Sequence, residues 1–456
     1  MTRHDTTGSE EGADKGRLSL DLTPYRNRLR SLSPFRSSGT VTEAVGLLVT
    51  SHGPWLPVGG VCQVYPLGGG PPALAEVVGF RAGQTLLMPL GDLRGVGPGS
   101  AVVTLTKEAR YPVGEGVLGR VIDGLGRPLD GKGIISSPHS YSLYSPVSNP
   151  LERKDIAEPL NVGIRAVDGM LTCGKGQRVA IMAGSGVGKS TILRMIARHT
   201  RADVKVIALI GERGREVQDF IERGLADADR ERMVVVVATS ADPPLVRVRG
   251  AFLATTIAEY FRDHGQDVLL LMDSLSRFAM AQREVGLAAG EPPSTKGYTP
   301  SVFALLPRLL ERAGTWLRKG SITGLYTVLM EGDDPQEPVA DAVRSLADGH
   351  ILLARRLAEQ GQFPAIDVLG SVSRVRTHVT SPEHQRMVTE VVRCLAAYRD
   401  AEDLIQIGAY SGGRNPEVDR AIQLLPRIRE YLSQGEVEGA SLETSINGLA
   451  ELLADA

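Results

Sequence analysis

Arg178-Val-Ala-Ile-Met-Ala-Gly-Ser-Gly-Val-Gly-Lys-Ser-Thr191 is the segment that best indicates the class of fold. The apolar residues 179–182 predict a buried strand, residues 183–188 form a glycine-rich turn, and Lys189 opens a helix with one apolar face. A phosphate-binding loop requires this order, because backbone N–H groups and the positive end of the helix then converge on phosphates. The sequence therefore predicts a nucleoside triphosphate site.

Two side chains of this stretch have specific expected tasks. Lys189 is expected to reach the β- and γ-phosphates, and the Ser190 hydroxyl to hold Mg²⁺. Ala183 departs from the glycine that opens the G-x-x-x-x-G-K-[ST] pattern. A chance glycine-rich turn is the alternative, and the flanking strand and helix argue against it. The residues predicted to bind nucleotide here are Gly184, Ser185, Gly186, Val187, Gly188, Lys189, Ser190 and Thr191.

Length and composition limit the class of protein. A chain of 456 residues predicts two or three domains, and a net charge of −2 argues against a general nucleic-acid binder. The three cysteines are scattered, as in a cytosolic protein with reduced thiols. The N-terminus lacks the apolar core of a secretory signal, and the longest apolar runs are far too short to span a membrane. Any membrane association is expected to go through a partner.

The first quarter of the chain predicts a small β-barrel. Residues 1–17 are polar, and 18–36 could form an amphipathic segment that packs on its own domain or receives a partner. Short β-like runs separated by Gly and Pro follow between residues 41 and 105. The runs are 45–50, 61–65, 75–80, 84–88 and 101–105.

A parallel α/β sheet is expected after a turn-rich connection over residues 106–177. Continuous apolar runs without polar alternation indicate strands that are covered on both faces. These runs are 204–210, 233–238, 267–272, 322–330 and 350–353. Beyond residue 380 the pattern predicts helices, at 383–398, 401–407, 416–433 and 441–453.

Two acids follow predicted strands, and nucleotide binds at the carboxyl ends of the strands in such sheets. Asp273 ends the run 268–272 and is expected to hold Mg²⁺ through water. Glu212 follows the run 204–210 and could orient the water that attacks the γ-phosphorus, because phosphoryl transfer needs positioning more than covalent chemistry. A solvated charge cluster is the equal alternative for Glu212. Further along, Phe363 taken alone fits a core position, and Arg374 taken alone fits a surface position.

Together these stretches resemble, in order and over nearly the whole chain, the ATPases of type III protein export, which are similar to the catalytic subunits of rotary ATP synthases. Ala183 matches the export ATPases and is no departure among them. The stretches that carry the resemblance are 183–190, 210–216, 272–284, 291–303, 331–335 and 363–367.

The resemblance implies an α/β fold: a RecA-like P-loop NTPase core with an N-terminal small β-barrel and a C-terminal helical domain, six copies forming a ring. The expected boundaries are 1–40 for a partly disordered extension that could include a short helix, 41–106 for the barrel, 107–380 for the ATPase domain and 381–456 for the helical domain.

The resemblance also implies the roles of individual residues. Lys189, Glu212, Arg213 and Arg374 match catalytic positions, with Arg374 as the finger that reaches the γ-phosphate in the neighbouring subunit. Phe363 falls where the family places an aromatic against adenine, and Tyr410 would be a second wall. Ser190 and, through water, Asp273 would hold the metal. The implied cofactors are ATP and Mg²⁺.

The implied function is the ATP-hydrolysing motor of bacterial flagellar protein export, coupling hydrolysis to the unfolding, release and export of flagellar proteins. Residues 76–80 and 86–90 look more like the flagellar branch than the virulence injectisome branch, which is the alternative. The implied partners are stator-like and stalk-like proteins, the export gate, exported proteins and their chaperones, at the inner face of the cell membrane in the cytoplasm, with no sequence-specific nucleic acid. Less favoured classes are a rotary ATP synthase subunit, a non-hydrolysing ring subunit, which usually lacks the Glu212 carboxylate, and an RNA-translocating hexamer.

Overall fold

A computed structural model describes residues 22, 26, 37–146, 149–224, 227–317, 319–334 and 336–454, without the side chains of 227–229 and 333. The expectations for 1–17 and for the amphipathic segment 18–36 therefore lie almost wholly outside the described residues. No helix within the described ranges is long and apolar enough to cross a membrane.

Six antiparallel strands close into the expected small barrel, in the order β1-β2-β5-β4-β3-β6. Alternate valine and leucine side chains such as Val49, Val77 and Leu87 fill its interior. The strands are β1 (Ser38–Val45), β2 (Leu48–His52), β3 (Val61–Val64), β4 (Ala73–Arg81), β5 (Gln84–Pro89) and β6 (Ala101–Thr106). The run expected at 45–50 was wrong in its bounds, because it crosses the turn between β1 and β2; β1 was missed since most of its side chains face solvent.

The region expected to be only a turn-rich connection contains three short strands. β7 (Arg110–Val113) pairs antiparallel with β9 (His139–Ser142), while β8 (Arg120–Asp123) lies parallel to a strand of the main sheet and forms its edge. A strand of four residues with only Ile122 fully buried leaves no apolar run in the sequence, so its place follows only from its pairing.

The main sheet has the order β17-β16-β10-β15-β13-β11-β12-β8, and its strands are parallel except for β17, which runs antiparallel to β16. A short strand, β14, pairs with β15 outside this order. All five apolar runs that were expected to be strands lie in it. The strands are β10 (Arg178–Ala183), β11 (Val204–Ile210), β12 (Met233–Ala238), β13 (Asp267–Asp273), β14 (Gly314–Thr315), β15 (Ser321–Leu329), β16 (Gly349–Leu353) and β17 (Ile366–Ser373).

Helices cover both faces of this sheet, which explains the uninterrupted apolar strands. One core lies between the sheet and α4 to α7, and the other between the sheet, α1, α2 and the C-terminal helices. The helices are α1 (Arg165–Met170), α2 (Lys189–His199), α3 (Gly214–Asp219), α4 (Pro244–Asp263), α5 (Leu275–Ala289), α6 (Pro300–Leu310), α7 (Pro338–Leu346), α8 (Arg355–Glu359), α9 (Arg376–Val379), α10 (Pro382–Gln406), α11 (Pro416–Leu432) and α12 (Leu442–Ala454).

The C-terminal helices agree with the sequence expectation except at one point. The helices expected at 383–398 and 401–407 are the single helix α10, because neither Gly nor Pro interrupts the chain between them. Ser381 caps this helix by accepting a hydrogen bond from the His384 N–H. The three cysteines are buried free thiols, as expected.

Candidate functional site

The phosphate loop lies at the carboxyl edge of the main sheet, between β10 and α2. Ala183 is the last residue of β10 and is fully buried, and its carbonyl accepts the Met330 N–H at 2.9 Å. The turn itself begins only at Gly184, so alanine in place of glycine at 183 imposes no strain. Gly186 and Gly188 have φ of 78° and 96°, a left-handed conformation that favours glycine. Gly188 is thereby the N-cap of α2, and Lys189 is its first residue.

Three charged side chains that were predicted from separate stretches meet at this edge. The Lys189 Nζ donates to Asp273 Oδ1 at 2.5 Å and to Glu212 Oε1 at 3.3 Å. All three side chains are largely buried, with exposures of 17% for Lys189, 9% for Asp273 and 12% for Glu212. Burial disfavours the charged lysine, but the two carboxylates outweigh this effect and raise the pKa of Lys189.

The strand order brings Asp273 beside the loop. β13 lies between β11 and β15, and Asp273 pairs in register with Leu209 of β11. Thr327 of β15 donates its hydroxyl to Asp273 Oδ1 at 2.6 Å. The carboxylate is therefore fixed from both the strand side and the Lys189 side.

Glu212 lies two residues beyond the end of β11. Burial comes first among the causes that raise the pKa of Glu212 to about 7; the charge of Asp273 and a hydrogen bond with Glu216 add to it, and Lys189 opposes it. The shared hydrogen bond has the opposite effect on the more exposed Glu216, whose pKa is lowered. A carboxyl group that titrates near neutrality beside a phosphate loop is suited to orient water.

A cavity of about 350 Å³ opens in front of this cluster. Ser190, Glu212 and Asp273 line it from the loop side, and Arg194 and Glu216 line it from α2 and α3. Ser190 is exposed at the start of α2. Within the described residues, no three His, Cys, Asp or Glu side chains gather as a metal site. One hydroxyl and one carboxylate fit Mg²⁺, which usually takes its other ligands from phosphate and water.

Arg213 lies outside this cluster. Its side chain is 65% exposed, and its Nη1 lies 3.8 Å from Glu216 Oε1. Arg213 is also the N-cap residue of α3, with an extended backbone. The structure thus gives Arg213 an exposed side chain near Glu216 and no contact with Lys189 or Asp273.

The two aromatic residues lie in different places. The Phe363 ring lies against the phosphate loop, 3.8 Å from where a Cβ on Gly188 would be. It is 45% exposed, so nearly half of the residue remains accessible to a ligand. Tyr410 lies in the loop between α10 and α11, where its hydroxyl donates to Asp419 Oδ1 at 2.9 Å. Its role against adenine stays a prediction.

Arg374 lies at the opposite, amino edge of the sheet. It follows β17, whose last residue, Ser373, pairs with the first residue of β16, Gly349. The backbone N–H of Arg374 donates to the Asp348 carbonyl at 2.9 Å, and its Nη1 donates to the Ala347 carbonyl at 3.2 Å. The side chain is exposed. The structure therefore does not bring Arg374 to the phosphate loop of its own chain.

Sequence reasoning missed two groups that touch the cluster. Thr327 lies in the middle of an apolar run, and only the in-register pairing of β13 with β15 places it beside Asp273. Glu216 lies in the first turn of α3, four residues after Glu212, which precedes that helix; this short separation is the signal that could have found it.

Comparisons with known proteins agree with this fold. Residues 163–373 match the ATP synthase alpha/beta family, nucleotide-binding domain, and 380–451 match the T3SS EscN ATPase C-terminal domain. The chain is 50% identical to the flagellum-specific ATP synthase of Bacillus subtilis, over 92% of this chain and 95% of the relative. It is 44% identical to the assembled type III secretion ATPase EscN of enteropathogenic E. coli, with a TM-score of 0.87 over 91% of this chain and all of that one. A second structure shows EscN with its central stalk EscO, with a TM-score of 0.84, 44% identity and the same coverage of both chains.

Proposed function

The chain belongs to the family of flagellum-specific ATP synthases and type III secretion ATPases, and from this premise we propose how its residues hydrolyse ATP for flagellar protein export. It is an ATPase with an ATP synthase-like nucleotide domain. The observation that carries the proposed mechanism is the meeting of Lys189, Glu212 and Asp273 in front of the phosphate loop.

Lys189 is the group that addresses the phosphates. An ammonium has three donors, and two of those of Lys189 go to Asp273 and Glu212, so one remains for a phosphate oxygen. The backbone N–H groups of residues 184–188 and the N-terminus of α2 add to the attraction. Together they hold the terminal phosphate in one orientation.

Glu212 is the group that orients the attacking water. Its carboxylate accepts a hydrogen bond from that water and aligns it with the phosphorus, which is the main requirement of phosphoryl transfer. Because the pKa of Glu212 is about 7, a substantial fraction of the carboxyl is ionised at neutral pH. We assign the exposed guanidinium of Arg213 to the polyphosphate.

Ser190 and Asp273 are the groups that would hold Mg²⁺, the serine directly and the aspartate through water. When bound, this ion neutralises charge on the transferred phosphate. Thr327 fixes the Asp273 carboxylate by its hydrogen bond and so keeps it facing the cavity.

The site is complete only across two copies of the chain. Arg374 lies at the amino edge of the sheet, too far from its own phosphate loop to act there. We assign it to the nucleotide of a neighbouring subunit in a homo-hexameric ring, as an arginine finger. We assign Phe363 and Tyr410 to contact with the adenine ring of ATP.

The remaining proposals concern the setting. EscN has been seen assembled and with a central stalk protein, and we assign a stalk-like partner to this chain also. The other proposed partners are stator-like proteins, the export gate, exported proteins and chaperones. The proposed location is the cytoplasm, at the inner face of the cell membrane. The domain boundaries at residues 40, 106 and 380 belong to the same proposal. An injectisome ATPase is the second candidate, because EscN is 44% identical.

Glu212→Gln in the purified chain tests the mechanism. The amide keeps the shape but loses the charge, so turnover should fall by at least about 10²-fold while ATP still binds. Turnover and equilibrium ATP binding are measured on the same sample. Glu222→Gln, an exposed change nearby, is the matched control and should leave turnover unchanged. Full turnover in Glu212→Gln would overturn the assignment of the water-orienting carboxylate.

A further inference from the structure

Ser185 and Gly186, the crest of the phosphate loop, have few packing contacts. Ser185 and Gly186 are exposed, and a Cβ added at Gly186 would meet nothing within 4 Å. A loop that presents backbone N–H groups to phosphates must nevertheless keep each peptide plane in one orientation, because the donors act by direction. Some contact from outside the loop is therefore needed at the crest.

Arg355 supplies such a contact. Its Nη2 donates to the Ser185 carbonyl at 2.9 Å. The register of the sheet makes this contact reproducible: Leu353, the last residue of β16, pairs with Ala183, the last residue of β10. Arg355 therefore begins α8 directly beside the point where the phosphate loop leaves the sheet.

The segment that carries Arg355, residues 354–365, is itself braced. Its two ends are joined by a hydrogen bond from the Ala354 N–H to the Ala365 carbonyl at 2.9 Å. Its far end holds the Phe363 ring against Gly188, and the Phe363 carbonyl accepts the Gln434 N–H of the C-terminal helical region at 2.8 Å. A guanidinium on such a base can fix the orientation of a peptide plane.

We propose that Arg355 is a positioning residue for ATP hydrolysis, acting through the Ser185–Gly186 peptide of the phosphate loop. In a trans peptide, the carbonyl and the next N–H point in opposite directions. Holding the Ser185 carbonyl therefore also fixes the direction of the Gly186 N–H, which is one of the donors that the loop offers to phosphate. This inference rests on the proposed hydrolysis at Lys189 and adds a residue to it.

The alternative is that Arg355 acts only by its charge, as a cation that attracts the polyphosphate. The two roles differ in what they change. Loss of a distant charge weakens ATP binding, raises KM, and does so less at high salt. Loss of positioning leaves ATP bound in a poorer geometry, so kcat falls while binding changes little.

The experiment measures kcat, KM and equilibrium ATP binding for Arg355→Ala, Arg355→Lys and the unaltered chain, each at low and high salt. Arg355→Ala should lower kcat about tenfold with less than about threefold change in ATP affinity, at both salt concentrations. Arg355→Lys keeps a donor of similar reach and should recover part of kcat. Arg356→Ala is the matched control: its guanidinium pairs with Glu402 of α10, 3.3 Å away, so kcat should not change.

Two results overturn the proposal. One is an unchanged kcat in Arg355→Ala; the other is a rise in KM that disappears at high salt with kcat unchanged, which indicates a charge role. If circular dichroism shows that Arg355→Ala does not fold, Arg355→Lys becomes the deciding variant. A kcat of Arg355→Lys equal to that of the unaltered chain, together with salt-sensitive ATP binding, would contradict positioning. If Lys189→Ala also retains turnover, the proposed site itself fails; if only Arg355→Ala is normal, this inference alone fails.

Discussion

The charged groups at the two edges of the main sheet differ in what they face: a cavity at the carboxyl edge, and one another at the amino edge. At the carboxyl edge, Lys189, Glu212 and Asp273 are buried together, and the two carboxylates line a cavity of about 350 Å³. At the amino edge, the Asp348 carboxylate binds Arg178 through its backbone N–H, Nε and Nη2 at 2.9 to 3.0 Å, and Arg374 extends beside it.

One chain therefore holds the phosphate-binding part of a site but not the arginine finger. β10 runs between the two edges from Arg178 to Ala183, which at 3.3 Å per residue is roughly 17 Å. This length exceeds the reach of an arginine side chain. If Arg374 acts on nucleotide, it therefore acts on that of a neighbouring copy.

Lys189→Ala should have the largest effect. It removes the phosphate contact and leaves the carboxylates of Asp273 and Glu212 without their shared cation, so turnover should fall below detection. The fold should persist, because no core side chain is removed. ATP turnover and far-UV circular dichroism are measured together, and normal turnover in a folded variant would contradict the assignment of the carboxyl edge.

Arg374→Ala at the other edge comes next. An arginine finger contributes about 10³- to 10⁵-fold in rate, so turnover at high protein concentration should fall by at least about 10³-fold. ATP binding and assembly should be retained, as measured by equilibrium binding and light scattering. If the variant keeps full turnover, Arg374 is an ordinary surface residue.

The pH dependence of turnover should report Glu212. Its pKa is raised from an ordinary value of 4.5 to about 7, so the active carboxylate form is lost as pH falls below 7 and turnover should rise with pH between about 6 and 8. For stability the sign is reversed: the folded chain binds the proton more tightly, so the unfolding free energy falls as pH rises from 4.5 to 7. Glu212→Gln should flatten both trends, and an unchanged stability profile would show that another group titrates.

Asp348→Asn should have the smallest effect on turnover and act on stability instead. The amide weakens the hold on Arg178, which is half-buried, so the unfolding free energy should fall by about 1–3 kcal/mol. Asp92→Asn, in an exposed pair with Arg94, is the control and should leave the unfolding free energy nearly unchanged. Denaturant unfolding measures both. Equal losses would mean that the amino-edge network has no special structural role.

The sequence predicts most of the carboxyl edge because its signals are local. An apolar run followed by an acid, as at Asp273, places the carboxylate at a strand end whatever the order of the strands. The partner of that carboxylate is not local, because the pairing of β13 with β15 brings Thr327 to it. The place of β8 is not local either, because β8 joins the sheet through its pairing with β12. The edge of the sheet on which Arg374 lies could not be predicted from the sequence either, because it depends on β17 running antiparallel to β16.

Mixing Lys189→Ala with Arg374→Ala tests most directly whether the two edges act across a subunit boundary. Each variant alone should be inactive, but in randomly mixed rings about a quarter of the interfaces join an intact Lys189 site to an intact Arg374. ATP turnover is measured over a series of mixing ratios, with mixed assemblies verified by light scattering and by affinity capture of a tag on one variant. Recovery of turnover, highest near equal amounts, is the predicted result. Mixed assemblies with no recovery at any ratio would contradict the in-trans site.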